Sequence, residues 1–348
     1  MPAFDGYQVT WLESGTASLA FALKLARARA AVDDPEVVLP GYGCPDLVAA
    51  ADHAGLRAVL ADVGADDPGY DLDSLARVLS PKTVAVVAVN FLGIRDRLDE
   101  IRAMLRTFPA ATLVEDDAQW FPESDRAALA GDAVVFSFGR GKPVSLLGGG
   151  AVAVRDSLAP LAQRLRGEVV QASPDASSPD LRIRAYNALL NPWLFPFASR
   201  NPLLELGRTR YHAQRAIAPM DARRLALLPA NVARYRARQP SAISALHGIV
   251  DPASSLPIRL GARTGRLLRY PVLCRDRGSR DRLLDELKRA GLGASAMYER
   301  SLPAIDGVRL AMAELPGASS LAARLLTLPV HEGVDSRVLI GIKRLFAP

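Results

Sequence analysis

The stretch Ala133-Val-Val-Phe-Ser-Phe-Gly-Arg-Gly-Lys-Pro143 joins an apolar run to a glycine-rich turn that carries one lysine, Lys142. The run Ala133–Phe138 has the length and the β-branched and aromatic content of a buried strand. A partly desolvated lysine in the turn after such a strand can attack a cofactor aldehyde. It can equally be a solvated loop lysine, as most lysines are. A phosphate-binding P-loop is excluded, because Phe136 stands where that motif needs its first glycine and Pro143 replaces its Ser or Thr.

Further apolar runs of strand length lie on both sides of this stretch. The six runs are Val37–Pro40, Arg57–Asp62, Val84–Asn90, Thr112–Glu115, Ala133–Phe138 and Ala151–Val154. Stretches with helical periodicity, such as Ala17–Ala31 and Leu98–Leu105, separate most of them. Strands that alternate with helices predict crossover connections and a mostly parallel sheet. The first half of the chain is therefore predicted to be α/β.

The second half of the chain follows a different pattern. We predict a large domain over residues 1–219, which includes a divergent segment at 171–219, and a smaller α+β domain over 220–348. The apolar and aromatic patch Tyr186–Pro202 favours a packing or subunit-interface segment over a substrate lid. The predicted elements of the smaller domain are a helix over Met220–Arg238, strands over Leu267–Cys274 and Gly293–Tyr298, and helices over Arg280–Ala290 and Ser336–Leu345.

Bulk composition restricts the classes of protein that this chain can be. Its 348 residues are 49% hydrophobic and 23% charged, which is ordinary for a globular protein. No apolar run reaches the roughly 20 residues that span a bilayer, and the first residues lack a signal-peptide pattern, so we expect a cytoplasmic protein with no membrane partner. The net charge of +6 favours an anionic small ligand over nucleic acid, because the arginines form no long basic run. The four histidines and two cysteines have no metal-site spacing.

Three more motifs lie where a predicted strand ends or a predicted helix begins. Ser14-Gly15-Thr16 precedes a helix and can bind a phosphate there, or can simply cap the helix. Glu115-Asp116-Asp117-Ala118-Gln119 ends a strand, and a carboxylate in that position can pair with the protonated ring nitrogen of pyridoxal phosphate. It can also cap a helix or bind Mg²⁺. Gly148-Gly149-Gly150 permits a close backbone approach or forms a plain hairpin turn. Because ligands bind at the carboxyl ends of parallel strands, the order and placement of these motifs predict a pyridoxal-phosphate enzyme.

The same motifs resemble those of the DegT/DnrJ/StrS sugar aminotransferases, which belong to fold type I of the pyridoxal-phosphate transferases. The resemblance covers about Gly15 to Val154 and about Met220 to Leu345, including Leu328-Pro329-Val330-His331 near the end. It implies a mostly parallel seven-stranded sheet flanked by helices, and a homodimer. It also implies a role for individual residues: Gly15, Thr16 and Ser137 on the cofactor phosphate, Asp116 on the pyridine nitrogen, Gln119 on the cofactor face or 3-hydroxyl, and Lys142 as the covalent attachment point.

The chain departs from the family pattern in several places. Much of the stretch that usually precedes the first motif is missing, and segment 171–219 aligns with nothing in the family. The aromatic that normally stacks on the cofactor ring is Cys44 by strict alignment, with Tyr42 two residues earlier. The asparagine that the neighbouring subunit usually contributes has no counterpart that can be placed. Dehydratases of the family carry histidine at the lysine position, so Lys142 argues against that branch.

The function that the resemblance implies is transfer of an amino group from a donor, by analogy L-glutamate, to a keto acceptor. In the family the acceptor is usually a nucleotide-linked keto-sugar, an expectation that rests on analogy alone. Three alternatives remain open: another pyridoxal-phosphate reaction such as a lyase or decarboxylase, a transaminase acting on a non-sugar ketone of secondary metabolism, and a non-catalytic protein that has kept the fold.

Overall fold

Seven strands pair into one sheet: β1 (Tyr7–Leu12), β2 (Glu36–Pro40), β3 (Arg57–Ala61), β6 (Thr83–Val89), β7 (Thr112–Asp116), β8 (Ala133–Ser137) and β9 (Gly150–Arg155). Their order in the sheet is β1-β9-β8-β7-β6-β2-β3. The computed structural model describes residues 2, 4–124, 129–171, 209–239, 241–311 and 313–346. Only β9 runs opposite to the other strands of this sheet. The predicted class, a mostly parallel seven-stranded sheet flanked by helices, is confirmed.

Two short antiparallel pairs complete the described strands: β4 (Val63–Gly64) with β5 (Asp67–Tyr70), and β10 (Arg269–Leu273) with β11 (Leu325–Pro329).

None of the described helices combines the length and the apolar character that crossing a bilayer requires. The described α-helices are α1 (Gly15–Arg29), α2 (Asp46–Ala54), α3 (Leu72–Val78), α4 (Leu98–Leu105), α5 (Ala159–Val169), α6 (Ala222–Ala237), α7 (Ser241–His247), α8 (Leu256–Arg259), α9 (Arg277–Arg289), α10 (Pro316–Arg324) and α11 (Ser336–Phe346).

The core lies on both faces of the sheet, as the alternation of side chains along a strand requires. On β8, Val135 belongs to the apolar cluster that contains helix α1. Its neighbour Phe136 belongs to a second cluster, which contains Leu228 and Tyr235 of helix α6. Because both faces are covered, the central strands are almost continuously apolar, which is the pattern that made them recognisable in the sequence.

The predicted elements agree with the structure over most of the described chain. The six strand runs of the first half are all present, with ends that move by at most one residue. Strand β1 is absent from the predicted runs because it is an edge strand that mixes polar with apolar residues and is only partly buried.

One predicted strand, Gly293–Tyr298, is wrong. Gly293 and Met297 have φ angles of +68° and +55°, and a left-handed residue near each end interrupts an extended conformation. Within this segment, Ser295 is the one residue that forms a β-bridge. Its backbone N–H donates to the carbonyl of Thr327, and its carbonyl accepts from the N–H of Thr327. The segment therefore pairs with strand β11 only at Ser295, and its last residue, Tyr298, lines the cavity described below.

The domain boundary after residue 219 stays a prediction. The divergent segment lies mostly outside the described residues, as does the Tyr186–Pro202 patch. Its described end returns to the sheet region, where Ile217 bridges Val170 and Pro219 bridges Leu12.

Asp62 connects strand β3 to a helix that lies 255 residues further along the chain. Its carboxylate accepts from the backbone N–H of Gly317 at 2.7 Å and of Ala318 at 2.8 Å, in the first turn of α10. We expect Asp62→Ala to lower the free energy of unfolding by about 2–3 kcal/mol, because it leaves buried donors without an acceptor. Urea unfolding measures the loss. Asp73→Ala, at an exposed first-turn position of α3, is the control and should cost less than about 0.5 kcal/mol. Equal losses in the two variants would contradict this account of Asp62.

Candidate active site

A cavity of about 350 Å³ opens at the carboxyl ends of strands β7 and β8, next to the start of helix α1. Parallel strands place the residues that follow them at one edge of the sheet, and this edge is where open α/β sheets bind ligands. The four motifs that contain Ser14, Asp116, Lys142 and Gly148 all contribute to the wall. The lining residues are Ser14, Gly15, Thr16, Leu19, Gly43, Cys44, Asp46, Leu47, Val89, Phe91, Asp116, Ala118, Gln119, Ser137, Gly139, Arg140, Lys142, Gly148, Gly149 and Tyr298.

The start of helix α1 forms one end of the cavity. The Ser14 side chain caps the helix by accepting from the N–H of Ala17 at 3.0 Å. Gly15 touches the end of β8 so closely that a Cβ on it would lie 2.6 Å from the Cβ of Ser137. Only glycine allows this approach, which sets the Ser137 hydroxyl beside a helix N-terminus. Backbone N–H groups and hydroxyls in this arrangement favour an anion such as a phosphate.

Asp116 faces the cavity from the end of strand β7. Its neighbours Glu115 and Asp117 must point to the other side of the strand, because side chains alternate. Asp116 is buried, and one carboxylate oxygen accepts from the N–H of Ala118 at 2.9 Å. Burial raises the pKa of Asp116, while that N–H and the positive charge of Lys142 act in the opposite direction. A partner that brings a positive charge to this carboxylate would remove the penalty that burial imposes.

Behind Asp116, the carboxylates of Glu115 and Asp117 share Asn90. The amide of Asn90 donates to both, and Glu115 also accepts from the backbone N–H of Gly131 at 2.8 Å. Burial, followed by the charge of Glu115, raises the pKa of Asp117 well above its usual value. These contacts hold the end of β7 rigidly, and they give a structural reason for the second aspartate in the motif.

Lys142 lies in a loop that folds back over the end of strand β8. The N–H groups of Leu146 and Gly148 donate to the Phe138 carbonyl at 2.7 and 3.2 Å, and Gly141 has a φ of +68° that glycine adopts without strain. The Lys142 side chain is half-buried and lines the cavity together with Thr16, Asp116 and Ser137. Its placement therefore differs from that of a solvated loop lysine.

Gln119 and Tyr298 form another part of the cavity wall. The Gln119 side chain accepts from the N–H of Leu92 at 3.0 Å and donates to the Tyr298 hydroxyl at 3.2 Å, so its orientation is fixed. Tyr42 does not line the cavity. It is buried behind Tyr298, where its hydroxyl donates to the Tyr298 carbonyl at 3.0 Å and its ring packs edge-on at 5.6 Å. Tyr42 therefore supports the wall from behind.

Cys44 lines the cavity at the position where the family pattern has a stacking aromatic. Burial, and next the charge of Asp46, raise the pKa of its thiol to about 12, so at neutral pH it is an uncharged, polarisable side chain. Asp46, two residues further on, accepts from the Thr16 hydroxyl at 3.0 Å.

The structure brings together seven of the eight residues predicted for the site: Gly15, Thr16, Cys44, Asp116, Gln119, Ser137 and Lys142. The sequence reasoning missed Asp46 and Tyr298. Asp46 could have been identified from its position two residues after Cys44, at the start of a helix. Tyr298 carried no such sign, since it reaches the cavity through a turn that was predicted to be a strand.

The cavity has the groups that pyridoxal phosphate requires. A helix N-terminus with neighbouring hydroxyls suits the phosphate, a buried carboxylate suits the ring nitrogen, and an amine lies within the same walls. The Gly15–Ser137 contact is a close fit that a side chain at residue 15 would destroy. Two residues depart from the expected set: Cys44 gives little stacking surface, and Asp46 adds a negative charge near the phosphate end.

Comparisons with known proteins find similar sequences and folds. The sequence profile of the DegT/DnrJ/EryC1/StrS aminotransferase family matches residues 6–175. A 140-residue part of the chain, 39% of its length, is 35% identical to the dTDP-3-amino-3,4,6-trideoxy-alpha-D-glucose transaminase of Micromonospora megalomicea subsp. nigra. The chain spans 37% of the length of that relative.

Solved structures resemble the fold over nearly the whole chain. The sugar aminotransferase CalS13 from Micromonospora echinospora superposes with a TM-score of 0.73 at 21% identity, covering 97% of this chain and 86% of its own. DesV of S. venezuelae, in complex with a ketimine intermediate, gives a TM-score of 0.72 at 20% identity, covering 99% and 84%. The putative sugar aminotransferase Spr1654 from Streptococcus pneumoniae, in its PMP form, gives 0.71 at 18%, covering 97% and 86%. At these identities the likeness is one of fold.

Proposed function

Because the profile of the DegT/DnrJ/EryC1/StrS aminotransferase family matches residues 6–175, we propose that this protein is a member of that family and a pyridoxal-phosphate-dependent aminotransferase. The observation that carries the proposal is the half-buried Lys142 in one cavity with Asp116, Ser137 and Thr16. If Lys142 were an ordinary solvent-exposed lysine, or the protein a simple binding module, a buried carboxylate would not be needed in the same cavity as the amine. The donor that we propose is L-glutamate, and the acceptor is a nucleotide-linked keto-sugar.

Pyridoxal phosphate, when bound, supplies an electron sink that delocalises the electron pair left when a proton leaves the carbon next to the substrate nitrogen. In our proposal the start of helix α1 and Ser137 hold the phosphate. Asp116 holds a proton on the ring nitrogen, which its ionised carboxylate favours. Gln119, whose orientation is fixed by Leu92, positions the ring face.

Lys142 has two tasks in this proposal. Its amine would hold the cofactor aldehyde at rest, and when free it would act as the base and then the acid that moves a proton at the substrate carbon next to the nitrogen. A single amine can be both base and acid because it carries away the proton that it later returns. The half-buried setting limits access of water, which would otherwise hydrolyse the reactive groups.

The walls of a second cavity, of about 310 Å³, are an argument for an anionic acceptor. Lys142 borders it as well as the first cavity, and its walls include Arg238, Arg266, Arg269 and His331. Burial lowers the pKa of Arg269 to about 10, so this guanidinium stays charged at neutral pH. A cationic wall next to the reacting amine suits the diphosphate of a nucleotide-linked sugar. The name of the Micromonospora megalomicea relative, a dTDP-sugar transaminase, supports the same acceptor class.

Two half-reactions test the proposal. L-Glutamate added to the cofactor-loaded protein should convert the aldehyde form of the cofactor to the amine form and release 2-oxoglutarate, which absorption and a coupled assay measure. A nucleotide-linked keto-sugar should then restore the aldehyde form, and the same sugar without its nucleotide should do so at least about tenfold more slowly, since an anionic anchor contributes about 1.4 kcal/mol or more.

Several outcomes would contradict the proposal. Release of carbon dioxide from the amino acid without the amine form would indicate a decarboxylase. A non-sugar ketone that restores the aldehyde form faster than every nucleotide-linked sugar would refute the acceptor class and leave the aminotransferase assignment intact. A loaded protein that gives no reaction with any donor would support a non-catalytic role.

A further inference from the structure

The carboxylate of Asp46 lies against the first turn of helix α1. Its Oδ2 accepts from the Thr16 hydroxyl at 3.0 Å, and the side chain is half-buried in the cavity wall. Asp46 is also the first residue of helix α2, so the starts of two helices meet at this carboxylate. Helix N-termini attract negative charge, and here one of the chain's own side chains already supplies it.

The same hydroxyl is one that a bound phosphate would need. A hydroxyl carries one proton and therefore donates to one acceptor at a time. A phosphate at the start of α1 and the carboxylate of Asp46 consequently compete for Thr16, and both are negatively charged. The charge of Asp46 acts across the cavity, where it contributes to the raised pKa values of Cys44 and of Asp116.

We propose that Asp46 sets how strongly this protein holds the phosphate of its cofactor. The carboxylate keeps the Thr16 hydroxyl when no phosphate is bound, gives it up when a phosphate arrives, and weakens binding of the dianion by repulsion. The effect is largest for the amine form of the cofactor, because that form has no covalent bond to Lys142 and its phosphate therefore contributes a larger share of the binding. The protein therefore releases the aminated cofactor more readily than a homologue with an uncharged residue at this position. This inference rests on the proposed function.

The direct test compares Asp46→Asn with the wild-type protein in equilibrium binding to the cofactor-free form, measured by calorimetry. Two ligands are used, pyridoxamine 5′-phosphate and pyridoxamine, which lacks the phosphate. We expect Asp46→Asn to bind pyridoxamine 5′-phosphate about tenfold more tightly, a change of about 1.4 kcal/mol. Binding of pyridoxamine should change by less than about twofold, since the repulsion acts on the phosphate. Inorganic phosphate, used as a competitor, should show the same gain.

A matched control removes the same charge from another position on the same helix. Asp52 is exposed on α2, where it accepts from the Tyr211 hydroxyl at 2.7 Å, and it does not line the cavity. Asp52→Asn should leave the affinity for both ligands within about twofold, because an exposed charge is screened by water and salt. Asp46→Ser keeps a small polar side chain at the start of α2 and should reproduce the gain of Asp46→Asn.

The outcomes separate this inference from the function on which it rests. Unchanged or weaker binding of pyridoxamine 5′-phosphate by both Asp46 variants would overturn the inference, and so would an equal gain for pyridoxamine. A wild-type protein that binds neither the aldehyde nor the amine form of the cofactor would overturn the proposed function itself, whatever the variants do.

Discussion

Replacing Lys142 by alanine is expected to leave a folded protein with no covalently held cofactor and with about 10⁴-fold less transaminase activity. The factor is the upper end of what a positioned proton-transfer group contributes. It applies here because one amine both attaches the cofactor and moves the proton. The absorption band of the attached cofactor should be lost, and added amines should not restore the full rate, because they lack the placement that the loop from Phe138 to Gly148 gives Lys142.

The effect of Lys142→Ala on stability should be small, because the side chain is only half-buried and lies in a loop. Lys82→Ala provides the matched control. Lys82 is exposed and forms a 3.5 Å ion pair with Asp34, far from the cavity lining, so its loss should change neither activity nor cofactor content. Full activity in the Lys142 variant would show that another group carries the chemistry.

Asp116→Asn should lower transaminase activity by about 10²–10³-fold, the loss that follows when one preorganised electrostatic partner is removed. The amide cannot stabilise a proton on the ring nitrogen, so the electron sink weakens while the cofactor can still attach to Lys142. The expected signature is an unchanged covalent band with a slow conversion by L-glutamate. A rate within about threefold of wild type would contradict the role of Asp116.

The same substitution should stabilise the cofactor-free protein at neutral pH. Burial raises the pKa of Asp116 in the folded state above its value in the unfolded chain, so ionisation costs folding free energy once the pH exceeds the unfolded value of about 3.9. The stability advantage of Asp116→Asn should therefore be present at pH 7 and should disappear as the pH falls below about 4. Urea unfolding of both cofactor-free proteins across this range measures it. A variant that loses stability at pH 7 would contradict this electrostatic account.

The strands of the first half were predictable because their two covered faces require continuous apolar residues. Edge strand β1 pairs with one strand of the sheet, β9, mixes polar and apolar residues, and was missed for that reason. The segment Gly293–Tyr298 was mistaken for a strand because nothing in the sequence indicates the positive φ of Met297, which is not a glycine.

Within the site, the predictable residues were those that follow parallel strands or begin a helix, because topology brings such positions together whatever lies between them. Asp116, Ser137 and Thr16 are of this kind. Tyr298 arrives from a distant part of the chain, and its hydrogen bond to Gln119 depends on how residues 293–298 turn, which no local pattern encodes. Tyr42 was assigned to the cofactor because it is aromatic and near Cys44, but the T-shaped packing on Phe91 and Tyr298 draws it into the core.

The central claim is that Lys142 is the amine that holds the cofactor aldehyde. The chain has five lysines, Lys24, Lys82, Lys142, Lys288 and Lys343, so the attachment point can be identified without ambiguity. The wild-type protein is loaded with pyridoxal phosphate, reduced with borohydride, cleaved after arginine and analysed by mass spectrometry. We predict that the reduced cofactor is found on the peptide Gly141–Arg155, whose single lysine is Lys142. Reduced cofactor on any other lysine, or on none, would contradict the account.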